Sequence, residues 1–236
     1  MKTDARQLAA KLAGRFLVFD GPDGCGKSTQ QQMLGELLTS AGGRVVYCKD
    51  PGGTAIGNRI RHVLLGYDLA EMDVHCETML FMASRAQLVA EIVEPAIAEG
   101  KTVLCDRFVS ATCAYQAAQG YDVRRVIGVA PYAIGDRWPD VTVILDVDVE
   151  AGFARTGRKA HHVGKNRKKH AGQQSMFDGV QPDAMEARPL DFHRKVRELF
   201  LKLADFYPRQ VVVIDGRPSP QEVHAGVLEA LARVEF

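Results

Sequence analysis

The feature that most constrains this chain is the stretch GPDGCGKS at residues 21–28, which fits the pattern G-x-x-x-x-G-K-[ST]. A strand-like apolar run precedes it and a helical pattern follows it, which is the context that a phosphate-binding loop requires. Its glycines let backbone N–H groups turn inward around phosphate oxygens, beside the positive end of the following helix. Lys27 can reach the β- and γ-phosphates of a nucleotide, and the Ser28 hydroxyl can ligate Mg²⁺. The alternative is a glycine-rich turn that matches the pattern by chance.

Five short apolar runs predict the strands of one sheet. Each is rich in β-branched or aromatic residues and ends in an acidic residue or a turn signal. They lie at residues 16–20, 44–50, 102–107, 141–147 and 211–216. Because helical patterns separate them, we predict an α/β fold of the P-loop NTP hydrolase/kinase type, with a five-stranded parallel sheet and helices on both faces. Ligands of such sheets bind beyond the carboxyl ends of the strands.

Three stretches between or after these runs predict helices. Residues 73–100 carry apolar side chains at helical spacing and end in Gly100, a helix stop signal. A second helix is expected at 191–206. The sequence SPQE at 219–222 combines a Ser cap, a Pro in the first turn and a Glu three residues after the cap, so a third helix begins there.

Composition limits the classes to which the chain can belong. With 236 residues, 46% hydrophobic and 25% charged, it suits a soluble globular protein, and we predict one domain over residues 1–236. The net charge of +1 provides no global field for nucleic acid or anionic membrane. The polar N-terminus lacks the apolar run of a signal peptide, and no stretch could span a membrane, so we expect a cytoplasmic protein. The five scattered cysteines predict reduced, buried thiols.

One segment carries a local positive charge. It contains six Lys and Arg side chains between residues 158 and 169, and no acidic residue occurs from Thr156 to Phe177. We interpret residues 155–190 as a mobile basic lid, because apolar elements of the same sheet resume after it. The alternatives are a solvated loop or a nucleic-acid-binding patch.

Three further motifs point to a family. They are KDPGGTAIGNRIRHVLL at 49–65, LFMASRAQLV at 80–89 and CDRFVSATCAYQAAQG at 105–120. Together with the loop, they closely resemble the thymidylate kinase family, also called dTMP kinases. The resemblance runs from residue 16 to about 231 and excludes an N-terminal extension (1–15) and most of 159–187. It implies the reaction of ATP and dTMP to ADP and dTDP with Mg²⁺ in dTTP synthesis, by a homodimer.

The resemblance also implies an ATP site and a magnesium site. Ser28 would ligate the metal, and Asp106 would hold magnesium-bound water. The segment IDGRPS at 214–219 would flank adenine, and Arg155 and Arg158 at the start of the lid would clamp the transferring phosphoryl group. Lys27 and Arg107 complete the implied catalytic set. The full ATP-binding prediction comprises Gly21, Pro22, Asp23, Gly24, Cys25, Gly26, Lys27, Ser28, Thr29, Arg155, Gly216 and Arg217.

The implied acceptor site brings a second dianionic phosphate beside ATP, which is costly in low dielectric unless cations intervene. Arg107 would bind the acceptor phosphate with help from Arg61, because the planar guanidinium fork binds phosphate bidentately. Asp23 would lie near the 3′-hydroxyl. The full dTMP-binding prediction comprises Asp23, Asp50, Pro51, Arg61, Phe81, Arg85, Arg107, Ala111, Tyr115 and Gln116.

Base recognition would fall to three of these residues. Arg85 would hydrogen-bond the thymine ring, Phe81 would stack on it, and Gln116 would contact it, while Tyr115 would lie beneath the sugar. Each residue also has a structural alternative: a solvated helix charge for Arg85, core packing for Phe81, and a structural ion pair for Arg107.

Several positions depart from the usual family pattern, and these departures leave alternatives open. Asp20 and Asp50 replace Glu, Phe108 replaces Tyr, Leu88 replaces a frequent His, and Ala111 removes a common Ser hydroxyl near the base. The alternatives are a kinase acting on another or on several nucleoside monophosphates, and a P-loop ATPase that binds nucleic acid through the basic segment.

Overall fold

The structure, a computed structural model, describes residues 4–66, 72–157, 185 and 188–236. Its centre is a five-stranded sheet in the order β2-β3-β1-β4-β5, and every neighbouring pair is parallel. The strands are β1 (Phe16–Asp20), β2 (Val45–Lys49), β3 (Thr102–Asp106), β4 (Val141–Asp146) and β5 (Val211–Asp215). All five predicted strands and the α/β class are therefore confirmed, with ends that differ from the prediction by one residue at most.

Ten α-helices cover the sheet within the described ranges. They are α1 (Ala5–Leu12), α2 (Lys27–Ser40), α3 (Ala55–Leu65), α4 (Val74–Leu88), α5 (Glu94–Ala98), α6 (Val109–Ala118), α7 (Val123–Ile134), α8 (Val149–Arg155), α9 (Leu190–Leu201) and α10 (Pro220–Arg233). A π-helical turn at Val89–Val93 joins α4 to α5, and a 3₁₀ turn at Leu203–Asp205 follows α9. The helix predicted over 73–100 thus carries a π-helical insertion that its apolar spacing did not reveal.

The predicted helix ends have clear physical causes. Gly100 follows α5 with a φ of 70°, a left-handed conformation that glycine adopts without steric cost. At α10, the Ser219 hydroxyl accepts a hydrogen bond from the Glu222 backbone N–H, and the Glu222 carboxylate accepts one from the Ser219 N–H. This reciprocal capping box was predicted from SPQE and is confirmed.

The sheet separates two hydrophobic clusters because successive strand side chains point to opposite faces. Phe16 and Val18 of β1 belong to one cluster, which packs against α4, α6 and α7. Leu17 and Phe19 belong to the other, which packs against α1, α2 and α10. All five residues of β1 are buried, as expected for a central parallel strand. The N-terminal extension contributes Leu8 and Leu12 to the second cluster through α1.

The cysteine prediction was partly wrong. All five thiols are free, but only Cys25, Cys105 and Cys113 are buried. Cys48 is half-buried because it lies on the edge strand β2, and Cys76 is exposed because it faces outward from the first turn of α4.

Two further predictions concern the basic lid and membrane-spanning segments. Most of the basic lid predicted at 155–190, including Arg158, lies outside the described residues. No helix within the described ranges combines the length and the apolar character that are needed to cross a membrane.

Candidate active site

The phosphate-binding loop leaves β1 and enters α2 through backbone conformations that favour glycine. Gly21 has a φ of 134° and Gly24 a φ of 74°. A Cβ on Gly24 would lie 2.1 Å from the carbonyl oxygen of Gly152, and one on Gly21 would lie 2.4 Å from that of Leu145. The loop therefore packs against β4 and α8 as closely as glycine allows.

Lys27 is the first residue of α2 and is largely buried. Its Nζ donates hydrogen bonds to the carbonyl oxygens of Gly21 at 3.4 Å and Pro22 at 3.2 Å. The ammonium group therefore lies folded over the loop, where it adds a positive charge to the helix N-terminus. Ser28 and Thr29 follow on α2 and are exposed.

A cavity of about 290 Å³ opens beside this loop, at the carboxyl ends of β1, β2 and β3. All ten residues predicted to bind dTMP line it. Lys27, Ser28 and Asp106, which were predicted to act on ATP or magnesium, line it as well. Four further lining residues were missed by the sequence analysis: Lys49, Leu65, Thr112 and Met185. Thr112 could have been found, since it is one helical turn before Gln116 on α6, whereas Met185 lies in a segment without periodicity.

Arg107 connects the loop with the cavity. Its backbone has a φ of 67°, an uncommon value for a residue other than glycine, and its N–H donates to the Phe19 carbonyl oxygen at 3.0 Å. Its guanidinium pairs with Asp20 at 2.9 Å and with Asp23 at 2.6 Å. It also donates to the Tyr115 hydroxyl at 3.2 Å. The structural ion pair considered for Arg107 is therefore present, and it holds the guanidinium at the mouth of the loop.

Asp20 is the completely buried partner in this cluster. Burial raises the pKa of its carboxyl, and the nearby charges of Arg107 and Lys27 oppose that rise. Asp20 Oδ2 also accepts a hydrogen bond from the Ser110 hydroxyl at 2.7 Å. The acidic end of β1 thus orients two cations and does not itself contribute to the cavity lining among the described residues.

Arg85 is completely buried, so its interpretation as a solvated helix charge was wrong. Its Nε and Nη2 donate to Asp50 Oδ2 at 2.9 and 2.5 Å, and Nη2 also donates to the Phe108 carbonyl oxygen at 3.0 Å. Burial raises the pKa of Asp50, and the charge of Arg85 opposes that rise. Asp50, although one methylene shorter than the Glu that is usual at this position, is therefore long enough to reach an arginine.

Phe81 and Gln116 form another part of the wall. The Phe81 side chain packs in the hydrophobic cluster and also lines the cavity, so core packing and ligand contact are compatible there. Gln116 is buried, and neither its amide nitrogen nor its amide oxygen has a hydrogen-bond partner among the described residues. Unpaired buried amides are costly, so this side chain is suited to pair with a ligand.

Oxygen ligands for a metal occur at the same place. Asp106 Oδ1 is buried without a hydrogen-bond partner in the described part of the chain, and the exposed Ser28 hydroxyl lines the same cavity. The described residues contain no cluster of three or more His, Cys, Asp or Glu that could hold a metal by themselves. Mg²⁺ needs no such cluster, since it commonly binds through one or two protein oxygens together with substrate phosphates and water.

Arg155 lies elsewhere, on the far side of the loop. Its guanidinium donates to the carbonyl oxygens of Gly216 at 2.9 Å and Arg217 at 3.0 Å. Arg217 in turn pairs with Asp215 at 2.8 Å. The structure thus joins Arg155 to the segment predicted to flank adenine, and Arg155 is not among the described residues that line the cavity.

Known proteins are similar to this chain over nearly its whole length. A family model described as Thymidylate kinase matches residues 19–227. A relative named thymidylate kinase from Pelotomaculum thermopropionicum is 39% identical over 224 residues, which cover 94% of this chain and 95% of the relative. One of the same name from Geotalea uraniireducens is 38% identical and covers 94% and 98%. The crystal structure of thymidylate kinase from Ehrlichia chaffeensis has a TM-score of 0.68 at 27% identity, covering 93% of this chain and 99% of that one.

Proposed function

Because the chain belongs to the thymidylate kinase family, it is a kinase that phosphorylates dTMP to dTDP, and we propose that the cavity beside its phosphate-binding loop is the dTMP site. One observation carries this proposal: side chains from β2, α3, α4 and α6 converge on a cavity that Lys27 and Ser28 also line. A donor phosphate on the loop and an acceptor in the cavity would therefore meet end to end.

We propose that ATP binds through the loop residues 21–29. Inward-facing N–H groups and the N-terminus of α2 favour the phosphates electrostatically. Lys27 would leave the carbonyl oxygens of Gly21 and Pro22 and move to the β- and γ-phosphates. Arg155, Gly216 and Arg217 would form the adenine-side wall, which their hydrogen bonds already organise. Arg158, which lies outside the described residues, would assist from the lid.

Arg107 and Arg61 would bind the acceptor phosphate. Arg107 is now held by the carboxylates of Asp20 and Asp23, and a phosphate dianion would compete with Asp23 for one side of its guanidinium. Arg61, on α3, donates to the Pro51 carbonyl oxygen at 3.0 Å and lines the same cavity. Two cations would thus face the acceptor from different elements.

The nucleoside would lie deeper in the cavity. Phe81 would stack on the base, while Arg85 and Gln116 would hydrogen-bond its edge. Tyr115 would lie beneath the sugar, with Asp23 near the 3′-hydroxyl and Asp50, Pro51 and Ala111 completing the wall. The Asp50–Arg85 ion pair would hold the guanidinium ready, so little side-chain entropy would be lost on binding.

No general base is needed for the transfer. The acceptor phosphate has a second pKa of about 6, so at neutral pH its oxygen is already an ionised nucleophile. The protein's task is to align that oxygen with the γ-phosphorus and to neutralise the charge that surrounds it. Lys27, from the donor side, and Arg107, from the acceptor side, would share this task.

Ser28 and Asp106 are the residues that would hold Mg²⁺, and the unpartnered Asp106 Oδ1 is an oxygen of the type that this ion prefers. Held there, Mg²⁺ would supply positive charge that offsets the negative charge of the phosphates. We also propose a cytoplasmic location and a homodimer, consistent with the family. A direct role in binding nucleic acid is disfavoured by the net charge of +1.

A coupled assay with a panel of nucleoside monophosphates tests the proposal. We expect ATP-dependent turnover with dTMP and no stimulation by DNA, whereas stimulation by DNA without use of any monophosphate would support the ATPase alternative. Lys27→Ala should abolish transfer without unfolding the protein, since its side chain bonds only to loop carbonyls and the Cys25 sulfur among the described residues. Lys202→Ala, on the exposed end of α9, is the matched control and should leave turnover unchanged.

A further inference from the structure

A chain of buried and half-buried polar side chains leads from the start of α9 to the cavity wall. Arg188 Nη2 donates to Gln119 Oε1 at 3.0 Å, and Gln119 Nε2 donates to Glu77 Oε2 at 2.7 Å. Glu77 lies in the first turn of α4 and is only 4% exposed, which is unusual for a glutamate. The phosphoryl-transfer mechanism gives none of these three side chains a role.

Arg188 and Glu77 stand at the two ends of this series of side chains, and their charges fix the direction of both hydrogen bonds in it. A guanidinium can only donate, and an ionised carboxylate can only accept. The Gln119 amide must therefore turn its oxygen to Arg188 and its nitrogen to Glu77. Burial raises the pKa of Glu77, and the amides of Gln119 and Gln116 and the charge of Arg188 oppose that rise.

Gln116 lies on α6, one helical turn before Gln119, which caps the C-terminal end of that helix. The Gln116 side chain lines the cavity, and its amide acts on the pKa of the same carboxylate. Neither of its amide atoms is within hydrogen-bond distance of a partner among the described residues, so the amide acts on the Glu77 carboxylate from beyond that distance. The oxygen and nitrogen of an amide have nearly the same shape, so the neighbours decide its orientation. Beside an acceptor-only carboxylate, the NH₂ group is the end of the amide that would turn toward Glu77, and the carbonyl oxygen would then face the cavity.

We propose that Glu77, held by Gln119 and Arg188, is a positioning residue that aims the Gln116 carbonyl oxygen at the base and thereby selects its ring. This proposal rests on the proposed dTMP site. Thymine carries an N–H donor at ring position 3, which a carbonyl oxygen accepts. Cytosine carries a lone pair there, which the same oxygen repels. The relay therefore distinguishes the two pyrimidines by hydrogen-bond polarity rather than by size.

Glu77→Gln tests this because it keeps the volume and removes the acceptor-only character. The new amide can donate to Gln116, whose NH₂ group is then free to face the cavity. We expect the ratio of the dCMP to the dTMP dissociation constant, measured by calorimetry, to fall about tenfold, and the ratio of the dTMP to the dCMP kcat/KM to fall with it. The KM for ATP should stay within twofold. Glu91→Gln, the same change at an exposed position of the π-helical turn that follows α4, is the matched control.

A merely structural role for Glu77 predicts something different, because loosened packing would weaken dTMP and dCMP equally. A folded Glu77→Gln variant with an unchanged ratio would therefore overturn the inference. If that variant fails to fold, Arg188→Gln provides the second test. A severalfold fall in the ratio of the dCMP to the dTMP dissociation constant would support the role of Glu77, and an unchanged ratio would refute it. Should the unaltered protein fail to phosphorylate dTMP, the proposed function would fail first, so the two failures are distinguishable.

Discussion

The buried ion pair between Asp50 and Arg85 gives a prediction whose size follows from the structure. Asp50→Asn keeps the shape of the side chain and removes its negative charge. Arg85 is 0% exposed, and its Nε and Nη2 both bond to the same Asp50 oxygen. The substitution would therefore leave a guanidinium in the protein interior with only neutral partners, namely Phe108, Thr112 and Met82.

The expected cost is about 3 kcal/mol. Two unit charges about 4 Å apart attract by roughly 4 kcal/mol at an effective dielectric constant of 20, and removing one member of a buried pair typically costs about 3–5 kcal/mol. The lower end applies because the Asn carbonyl can still accept one hydrogen bond. Against a total stability of about 5–15 kcal/mol, this is a large fraction, and it corresponds to a fall of roughly 6–12 °C in Tm.

Urea unfolding at pH 7, followed by circular dichroism, measures the cost, with m-values checked for constancy. Asp215→Asn is the matched control, because its pair with Arg217 at 2.8 Å has the same chemistry but is exposed, and no measurable change is expected there. The double variant Asp50→Asn/Arg85→Met removes both charges and should be more stable than Asp50→Asn alone.

A cost below 1 kcal/mol for Asp50→Asn would refute the reasoning. It would show that burial, which raises the pKa of Asp50, already keeps the carboxyl neutral at pH 7. A double variant less stable than Asp50→Asn would also contradict it, because the cost would then come from lost packing and not from an unpaired charge.

Three further predictions concern the site and its surroundings. Arg107→Ala should raise the KM for dTMP about 10- to 100-fold and lower kcat, since charge-assisted hydrogen bonds contribute about 1.5–3 kcal/mol; an unchanged KM would contradict its role at the acceptor phosphate. Arg155→Ala should raise the KM for ATP about tenfold and leave the KM for dTMP unchanged, because it removes two hydrogen bonds that organise the adenine-side segment; initial-rate kinetics would show the reverse if Arg155 served the acceptor. Burial lowers the pKa of His224, so the unfolded state binds its proton first and stability falls as the pH drops below about 6.5. His224→Gln should therefore lose less stability than the unaltered protein between pH 7.5 and 5.5, and equal losses in urea unfolding would exclude this contribution.

Much of the fold follows from local sequence because its signals act over short distances. Five apolar runs predicted five strands, since β-branched and aromatic residues that are buried on both faces suit a parallel sheet. The Ser219 capping box also depends only on residues three apart. The helix α1 was not predicted, although Asp4 caps its N-terminus and its Leu8 and Leu12, four residues apart, are both buried.

In the candidate site too, some features followed from the sequence and others appeared only in the structure. The family resemblance named ten acceptor residues, and the structure brings all ten to one cavity. The resemblance could not supply the hydrogen-bond and ion-pair partners of these residues. Phe81 could be assigned to the core or to the ligand from its position on a helix, and it contributes to both. Met185 was missed because its segment lacks periodicity, and its place in the cavity depends entirely on how the chain returns to the sheet.

The sequence by itself determined the phosphate-binding loop and the order of strands and helices along the chain, because backbone conformation there depends on neighbours a few residues apart. Only the tertiary structure decided which charges meet. Asp50 and Arg85 are 35 positions apart, and Gln119 and Glu77 are 42 apart. The direction of a buried hydrogen bond and the stability of a buried charge depend on partners that packing supplies, and that information is absent from any short stretch of sequence.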